Sequence, residues 1–553
     1  MDINRTWWKE AVVYQIYPQS FNDSDGDGVG DLQGIIERLD YLDDLGVDVV
    51  WLNPVYDSPH KDDGYDIRDY YAIREEYGSL EEWDALLDGL HERGIRLVMD
   101  LVVNHTSSEH EWFIDSRENP DGEYGDYYVW VDGTPDRPPN NWESAFGGPA
   151  WTYDETRGAW YLSLFHESQP DLNWENPAVR EDIYEMIRWW LAKGIDGFRL
   201  DVINLISKPE GFPDGDPESG WVGIEQFANG PRLVEFLEEM NAATYADYDA
   251  MTVGEMPAIT VEHAREYTGP DSPLDMVFGF EHVELDRGEG GWWDVTDIDL
   301  RELKAVFSGW QEGLAEVGWN SLYFGNHDQP RIVSRFGDEA YRYESATLLA
   351  TLLLTLQGTP YVFQGEEIGM TNYPWTSMDE FEDAQTVGEV EAAIDRGDID
   401  SLEEVLDTVR YRSRDNARTP MQWDDRENAG FTTGDPWLPV NPNYHEVNVE
   451  AERACERSIW TYYRDLIALR HGEDPLVYGE YDLLIPDHEQ VWAYTRTLGE
   501  DTVLVVLNWS DESVPPDLPP SLAGATRLIG NYDRDEPAGT LRPYEAQVYR
   551  LAP

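Results

Sequence analysis

The chain has 553 residues, 41% hydrophobic and 13% aromatic, enough to bury a sizeable core in two or three domains and too apolar for a disordered chain. Its 112 acidic residues against 39 basic give a formal net charge of −73, which excludes nucleic acid and anionic membranes as partners, because phosphate surfaces are held by clustered Lys and Arg. The acids are spread along the whole chain, repel one another in dilute buffer, and are screened within roughly 3 Å at 1 M salt, so the sequence reads as salt-adapted.

The first ten residues lack the apolar run of a secretory leader, and the single cysteine, Cys455, excludes an internal disulfide framework. A cytoplasmic protein, monomer or small homo-oligomer, is the expectation. From residue 11, short apolar stretches alternate with amphipathic ones. Strands are predicted at 11–17, 47–52 and 95–101, with helices at about 33–45 and 79–93 between them.

The alternation stops over 106–173, a stretch rich in Trp, Tyr, Asp, Pro and Gly that reads as an excursion over one face of the main domain. It resumes with helix 177–193, strand 196–200, helix 231–243, strands 251–254 and 275–278, helix 299–315, strand 321–324, helix 344–356 and strand 360–363. Eight strands with intervening helices predict an α/β fold, a closed (β/α)8 TIM barrel whose functional groups gather at the C-terminal ends of the strands. The barrel is expected over 1–105 and 174–475, with the subdomain 106–173 inserted after strand three and an acidic insertion at about 371–455. From 476 to 553 the texture becomes short strands with Pro and Gly turns, which predicts a C-terminal antiparallel β-sandwich domain.

Three of these strands end in carboxylates: Gly197-Phe-Arg-Leu-Asp201, Val253-Gly-Glu255 and, past the strand, Asn326-His-Asp328. Arg199 and Asp201 stand at i and i+2 and so project to the same side of an extended chain. A carboxylate beside a guanidinium stays ionised, as a nucleophile must. Near the start of the chain, Asp23, Asp25, Asp27 and Asp31 occupy positions 1, 3, 5 and 9 of a loop, with the Val29 carbonyl at position 7 and Gly28 for the turn. That is the oxygen-rich spacing of a structural Ca²⁺ site, or of Mg²⁺ in its place.

The motifs Asp100-Leu-Val-Val-Asn-His105, Gln169-Pro-Asp-Leu-Asn173, Gly197-Phe-Arg-Leu-Asp201, Val253-Gly-Glu255 and Asn326-His-Asp-Gln329, in this order, resemble those of the α-amylase superfamily of glycoside hydrolases, in its oligo-1,6-glucosidase and α-glucosidase branch. The resemblance covers nearly the whole chain. It implies Asp201 as nucleophile, Glu255 as general acid/base, and Asp328 as the carboxylate that stabilises the transition state by holding sugar hydroxyls. It implies that His105 and His327 donate to the first sugar, that Tyr65 stacks on it, and that Asp66 binds its hydroxyls and closes the pocket in an ion pair with Arg418. Phe146, Phe165 and Gln169 are further contacts from the excursion.

In the same branch a Val after the nucleophile, here Val202, accompanies α-1,6 cleavage and a Thr α-1,4. The implied function is a retaining, exo-acting α-glucosidase for small oligosaccharides, biased to α-1,6 linkages, with transglucosylation and no organic cofactor. The alternatives are an α-1,4-glucosidase, a trehalose-6-phosphate hydrolase, and a non-catalytic transporter-associated relative.

Overall fold

In the computed structural model, eight parallel strands stand side by side as a ring: β1 Val13–Ile16, β2 Val49–Leu52, β3 Arg96–Val102, β4 Gly197–Asp201, β5 Met251–Glu255, β6 Met276–Phe278, β7 Ser321–Leu322 and β8 Thr359–Phe363. The structure describes residues 5–552 apart from 271, 289–292, 398, 400, 401, 517, 519–523 and 535–538. Neighbours run in chain order from β1 to β6, β8 lies against both β1 and β7, and a parallel bridge between Val277 and Asn320 brings β6 to β7. The ring is the predicted (β/α)8 barrel. Its strands are apolar through most of their length because each has side chains facing both the barrel interior and the helices.

Local sequence sets where the helices begin and end. Ser79 and Glu82 form a reciprocal capping box at the start of Leu80–Glu92. Pro177–Lys193 is capped by Asn176, has Pro in its first turn, and stops at Gly194, whose φ of 108° a side chain would disfavour. Its inward stripe of Ile183, Ile187, Trp190 and Leu191 is buried, each side chain adding roughly 1.5–3 kcal/mol. The helix expected at 33–45 is two short helices, Leu32–Ile36 and Leu39–Leu45, separated at Arg38, which leaves helical geometry (φ −108°, ψ 7°).

The excursion carries a three-stranded antiparallel sheet, Trp130–Asp132, Ala159–Leu162 and Trp151–Asp154 in that spatial order. Antiparallel bridges His105–Asp171 and Tyr128–Leu172 fasten it beside the end of β3. Its core of Trp142, Trp151, Trp160 and Leu162 takes in Val202 and Leu205 from the turn after β4. The acidic insertion has its own apolar centre, Trp375, Phe381, Val390, Val405, Val409 and Leu438.

Beyond the barrel, the described residues form one five-stranded antiparallel sheet, Glu480–Leu483, Val491–Leu498, Asp501–Asn508, Ala546–Arg550 and Thr526–Gly530 in spatial order, where a sandwich of two sheets was expected. One face, with Trp492, Tyr494, Val503 and Val505, joins the main core, and the barrel takes the place of a second sheet. Among the described residues, no helix is long and apolar enough to cross a membrane.

Candidate active site

The ends of β3, β4 and β5 converge on one guanidinium. Parallel register sets Asp100 opposite Arg199 and Val253 opposite Arg199 on the other side, and Gly197 lets β4 and β5 close up, since a Cβ there would meet the Met251 carbonyl at 2.0 Å. Arg199, 1% exposed, gives Nη1 to Asp100 Oδ1 at 2.7 Å and to Asp201 Oδ1 at 2.5 Å, and Nη2 to Glu255 Oε2 at 2.6 Å. Asp100 also accepts from Trp51 Nε1 at 2.8 Å, and burial raises its carboxyl to about 6.

One positive charge therefore faces three buried carboxyls. The expectation that Arg199 holds Asp201 down is overtaken: burial, with Glu255 and Asp100 nearby, pushes Asp201 well above the ordinary range against the pull of Arg199.

The residue after Asp201 is strained. Val202 has φ 36° and ψ 38°, a left-handed conformation that costs a β-branched residue about 1–3 kcal/mol. The turn aims the Val202 N–H at Glu255 Oε2, 3.1 Å away, and buries the side chain against the excursion's core. The backbone that follows the candidate nucleophile thus holds the candidate acid/base in place.

Asp328 lies beyond β7 among cations. Arg418 Nη2 reaches its Oδ1 at 2.9 Å and Arg414 Nη1 at 3.2 Å, while His327 Nε2 is 3.1 Å from Oδ2. Burial alone would raise this carboxyl, yet His327, Arg414 and Arg418 together hold it well below the ordinary range. The His327 ring is pushed down to about 3, chiefly by burial, and is neutral at pH 7. Gln15 Nε2 donates to its Nδ1 at 2.8 Å, so its proton sits on Nε2, toward Asp328. Tyr65 stacks on the same ring, centroids 5.3 Å apart and planes 10° from parallel, and is steadied by Asn53 Nδ2 on its hydroxyl at 2.7 Å.

The ion pair expected between Asp66 and Arg418 is absent. Asp66 is fully buried and accepts from Ser58 Oγ and from the backbone N–H groups of Lys61 and Asp62, at 3.0–3.1 Å, with burial lifting it to about 6. It shapes the loop, and the two acids that precede it in the chain do the pairing: Asp63 with Arg418, and Asp62 with Arg414 at 3.3 Å. Arg414 also binds Asp383 of the acidic insertion at 2.6 Å. Three acids in Lys61-Asp-Asp-Gly-Tyr-Asp66 and three arginines in Arg412–Arg418 were equivalent in sequence, and only the loop geometry distinguishes them.

The excursion supplies the facing wall. Gln169 Nε2 lies 2.9 Å from Asp62 Oδ2 and 3.2 Å from His105 Nε2. Phe165 leans on the His105 ring at 5.3 Å, and Phe146 packs on Phe165 and under the Arg414 guanidinium. All of the sugar-contact residues expected from the motifs except Asp66 and Val202 are thus joined in one network of contacts. Asp62, Asp63, Asp100, Asp383 and Arg414 join them, residues that sequence reasoning missed.

Far from the cleft in sequence, the carboxylates of Asp23, Asp25 and Asp27 gather within 4.8 Å of one another. Asp23 accepts from the N–H groups of Asp25, Gly26 and Gly28, which folds the loop around it, and Gly28 (φ 97°) packs where a Cβ would meet the Asp435 carbonyl at 1.9 Å. Burial and the two neighbouring acids raise Asp27, the repulsion a divalent cation would remove, so the donor set fits a hard metal ion. Asp31 stands apart from that trio: Oδ1 caps the helix Leu32–Ile36 through Gly34 N at 2.6 Å, and Oδ2 takes Ser24 N and Oγ at 2.9 Å. The Val29 N–H donates to Asp27 Oδ1 at 2.8 Å.

Comparison with known proteins bears on this arrangement. The family model for the α-amylase catalytic domain matches residues 15–479. The chain belongs to the α-amylase family. A second model, the maltogenic amylase C-terminal domain, matches residues 481–546, the five-stranded sheet. An oligo-1,6-glucosidase from Parageobacillus thermoglucosidasius is 53% identical over 99% of this chain and 100% of its own length. The crystal structure of Bacillus licheniformis trehalose-6-phosphate hydrolase superposes with a TM-score of 0.92 at 46% identity, covering 99% of this chain and 100% of that one. An isomaltulose synthase from Klebsiella sp. LX3 does so at 0.96 and 43%, with both chains covered in full.

Proposed function

We propose that this α-amylase family member is a retaining exo-α-glucosidase of the oligo-1,6 type, removing terminal glucose from short α-linked oligosaccharides. The observation that carries it is the single Arg199 bridging Asp201 and Glu255. Both carboxyls bind the same guanidinium and so stand close together, as a retaining pair about 5–5.5 Å apart must, and this supports retention over inversion.

In this reading Asp201 attacks the anomeric carbon as Glu255 gives its proton to the departing glycosidic oxygen, forming a glucosyl ester. Glu255 then takes a proton from water, which attacks the same carbon and frees Asp201. The net configuration is retained. The attack needs Asp201 ionised, which Arg199 favours against the upward push of burial. Asp328, held ionised by its arginines, accepts hydroxyls of the first sugar and opposes the positive charge that develops on the ring.

The paired Asp62, Asp63, Arg414 and Arg418, the two arginines also binding Asp328, would close one end of the sugar site, and this supports exo action. Any sugar hydroxyl that competes with water for the ester gives transglucosylation. The trio Asp23, Asp25 and Asp27 would hold a structural Ca²⁺, binding the loop against residues 431–437 through Asp23 N to Phe431 O and Trp437 N to Gly28 O, both 3.0 Å. The identity to the P. thermoglucosidasius oligo-1,6-glucosidase supports the α-1,6 preference, and the net charge supports a salt-rich, cytoplasmic setting.

Glucose release from isomaltose, maltose and trehalose 6-phosphate, assayed side by side at low salt and at about 1 M KCl, tests the reading. Isomaltose is expected to be preferred. Preference for maltose or for the phosphorylated sugar would move the linkage or substrate class. Asp201→Asn is expected to fold as the wild type and to lose at least about 10⁴-fold in kcat; wild-type turnover by that variant would remove the mechanism.

A further inference from the structure

The two strands that end in the candidate nucleophile and acid/base part company where those residues stand. The paired register of β4 and β5 ends at Leu200 opposite Gly254. Asp201 is paired instead with Val102 of β3, and Glu255 with Phe278 of β6, each on its far side. The spacing of the two carboxyls is therefore left to side chains and to the residues that follow the strands.

Three consecutive residues after Asp201 meet the segment around Glu255. The Val202 N–H reaches Glu255 Oε2 at 3.1 Å, Ile203 packs over Gly254, where a Cβ would meet its Cγ2 at 3.2 Å, and Asn204 Nδ2 donates to the Pro257 carbonyl at 2.8 Å. The ion pairs of Arg199 and the bond from Val202 both end on carboxyl oxygens, so their strength follows a charge that the reaction changes. Among the described residues, the hydrogen bond of Asn204 is the tie across this gap that ends on the backbone, and a backbone carbonyl accepts whatever the carboxyls carry.

Asn204 is fully buried and its orientation is settled, since the Pro257 carbonyl can only accept and turning the amide over would set Oδ1 against it. Nδ2 also reaches Asn229 Oδ1 at 3.3 Å, an oxygen that takes the Tyr267 hydroxyl at 3.2 Å, and the Asn204 carbonyl accepts from the Asn229 N–H at 2.9 Å. Oδ1 has no donor among the described residues, so the amide is held through its NH2 end alone. We propose that Asn204 is a positioning residue that sets the spacing of Asp201 and Glu255, by pinning the turn after the nucleophile to the turn after the acid/base. The roles of the two carboxyls rest on the α-glucosidase reading.

Values of kcat/KM on isomaltose and on α-glucosyl fluoride test the inference. Isomaltose needs Glu255 to protonate the departing oxygen while Asp201 attacks, whereas fluoride leaves with little help from an acid. Asn204→Leu nearly keeps the volume and removes the donor. It is expected to lose about 10²-fold on isomaltose, the scale of a displacement of about 1 Å, and less than about tenfold on the fluoride, with an unchanged circular-dichroism spectrum. Asn204→Asp serves should that variant fail to fold: its buried carboxyl donates to the Pro257 carbonyl while protonated and opposes it once ionised, so its loss on isomaltose relative to the wild type is expected to grow with pH. Equal losses on the two substrates, no loss in Asn204→Leu, or a loss in Asn204→Asp that is the same at every pH overturns the proposal. A wild type inactive on every α-glucoside would instead refute the α-glucosidase reading, and the proposal with it, before any variant is made.

Discussion

Replacing Arg199 with Met keeps most of the side chain's length and removes what is, among the described residues, the only cation ion-paired with Asp100, Asp201 and Glu255. Trp51 Nε1 and Val202 N–H remain, and neither bears charge. Losing one partner of a buried ion pair costs about 3–5 kcal/mol, which the protein avoids by binding protons; at about 1.4 kcal/mol per tenfold, ionised Asp201 becomes about 10²–10⁴-fold scarcer near neutrality. Arg199→Met is therefore expected to lower kcat/KM on isomaltose by that factor at pH 6.5. Relative to the wild type at the same pH, the loss should shrink toward alkaline pH, by at most about tenfold per unit, as ionised Asp201 returns in the variant. Stopped assays from pH 5.5 to 9, with circular dichroism to confirm the fold, give the comparison. A uniform loss at every pH would refute the argument, because it would show that Arg199 orients groups without controlling their charge.

Asp62→Asn removes one of the three carboxylates on Arg414 and frees the Gln169 amide, so KM for isomaltose should rise about tenfold with a smaller change in kcat; an unchanged KM would show that the Asp62–Arg414 pair lies outside the sugar site. Chelation with EDTA should lower the melting temperature and Ca²⁺ restore it, a metal at a hundredfold over its Kd being worth about 2.7 kcal/mol, and Asp25→Asn should abolish the difference. Equal melting with and without EDTA would exclude the metal. Glu366, 3% exposed beneath the loop that carries His327, is raised well above its ordinary range by burial and by Glu367. An acid raised in the folded state stabilises below its unfolded pKa, about 4.3, and loses that contribution as pH climbs through the folded value. Glu366→Gln should accordingly melt near the wild type at pH 4.5 and above it at pH 8; the reverse order would show the carboxylate to be charged and paired.

The barrel was legible because each strand is a short apolar run set off by an amphipathic helix with its own caps, signals that survive without tertiary context. Strand seven was legible only in part: 321–324 reads as a strand, but pairing ends at Leu322, before the turn that carries His327 and Asp328 toward the cleft. The last domain was read as a sandwich from its short strands and Pro and Gly turns, and in the structure those strands carry apolar residues on both faces. That pattern is the same whether a second sheet or the barrel covers one of them.

At the site, what sequence could not carry was charge balance. Arg199 and Asp201 at i and i+2 read as a simple pair, and pairing alone would lower an acid; the structure places Asp100 and Glu255 on the same guanidinium, and burial reverses the sign. Catalysis of the proposed kind needs Asp201 ionised when it attacks, so the pull of Arg199 against burial is what keeps the nucleophile usable. The strained Val202 belongs to the same device. Its N–H fixes Glu255 while its side chain, locked in the excursion's core, prevents the turn from relaxing, so the 1–3 kcal/mol of backbone strain, roughly, is held by packing that lies outside the catalytic centre.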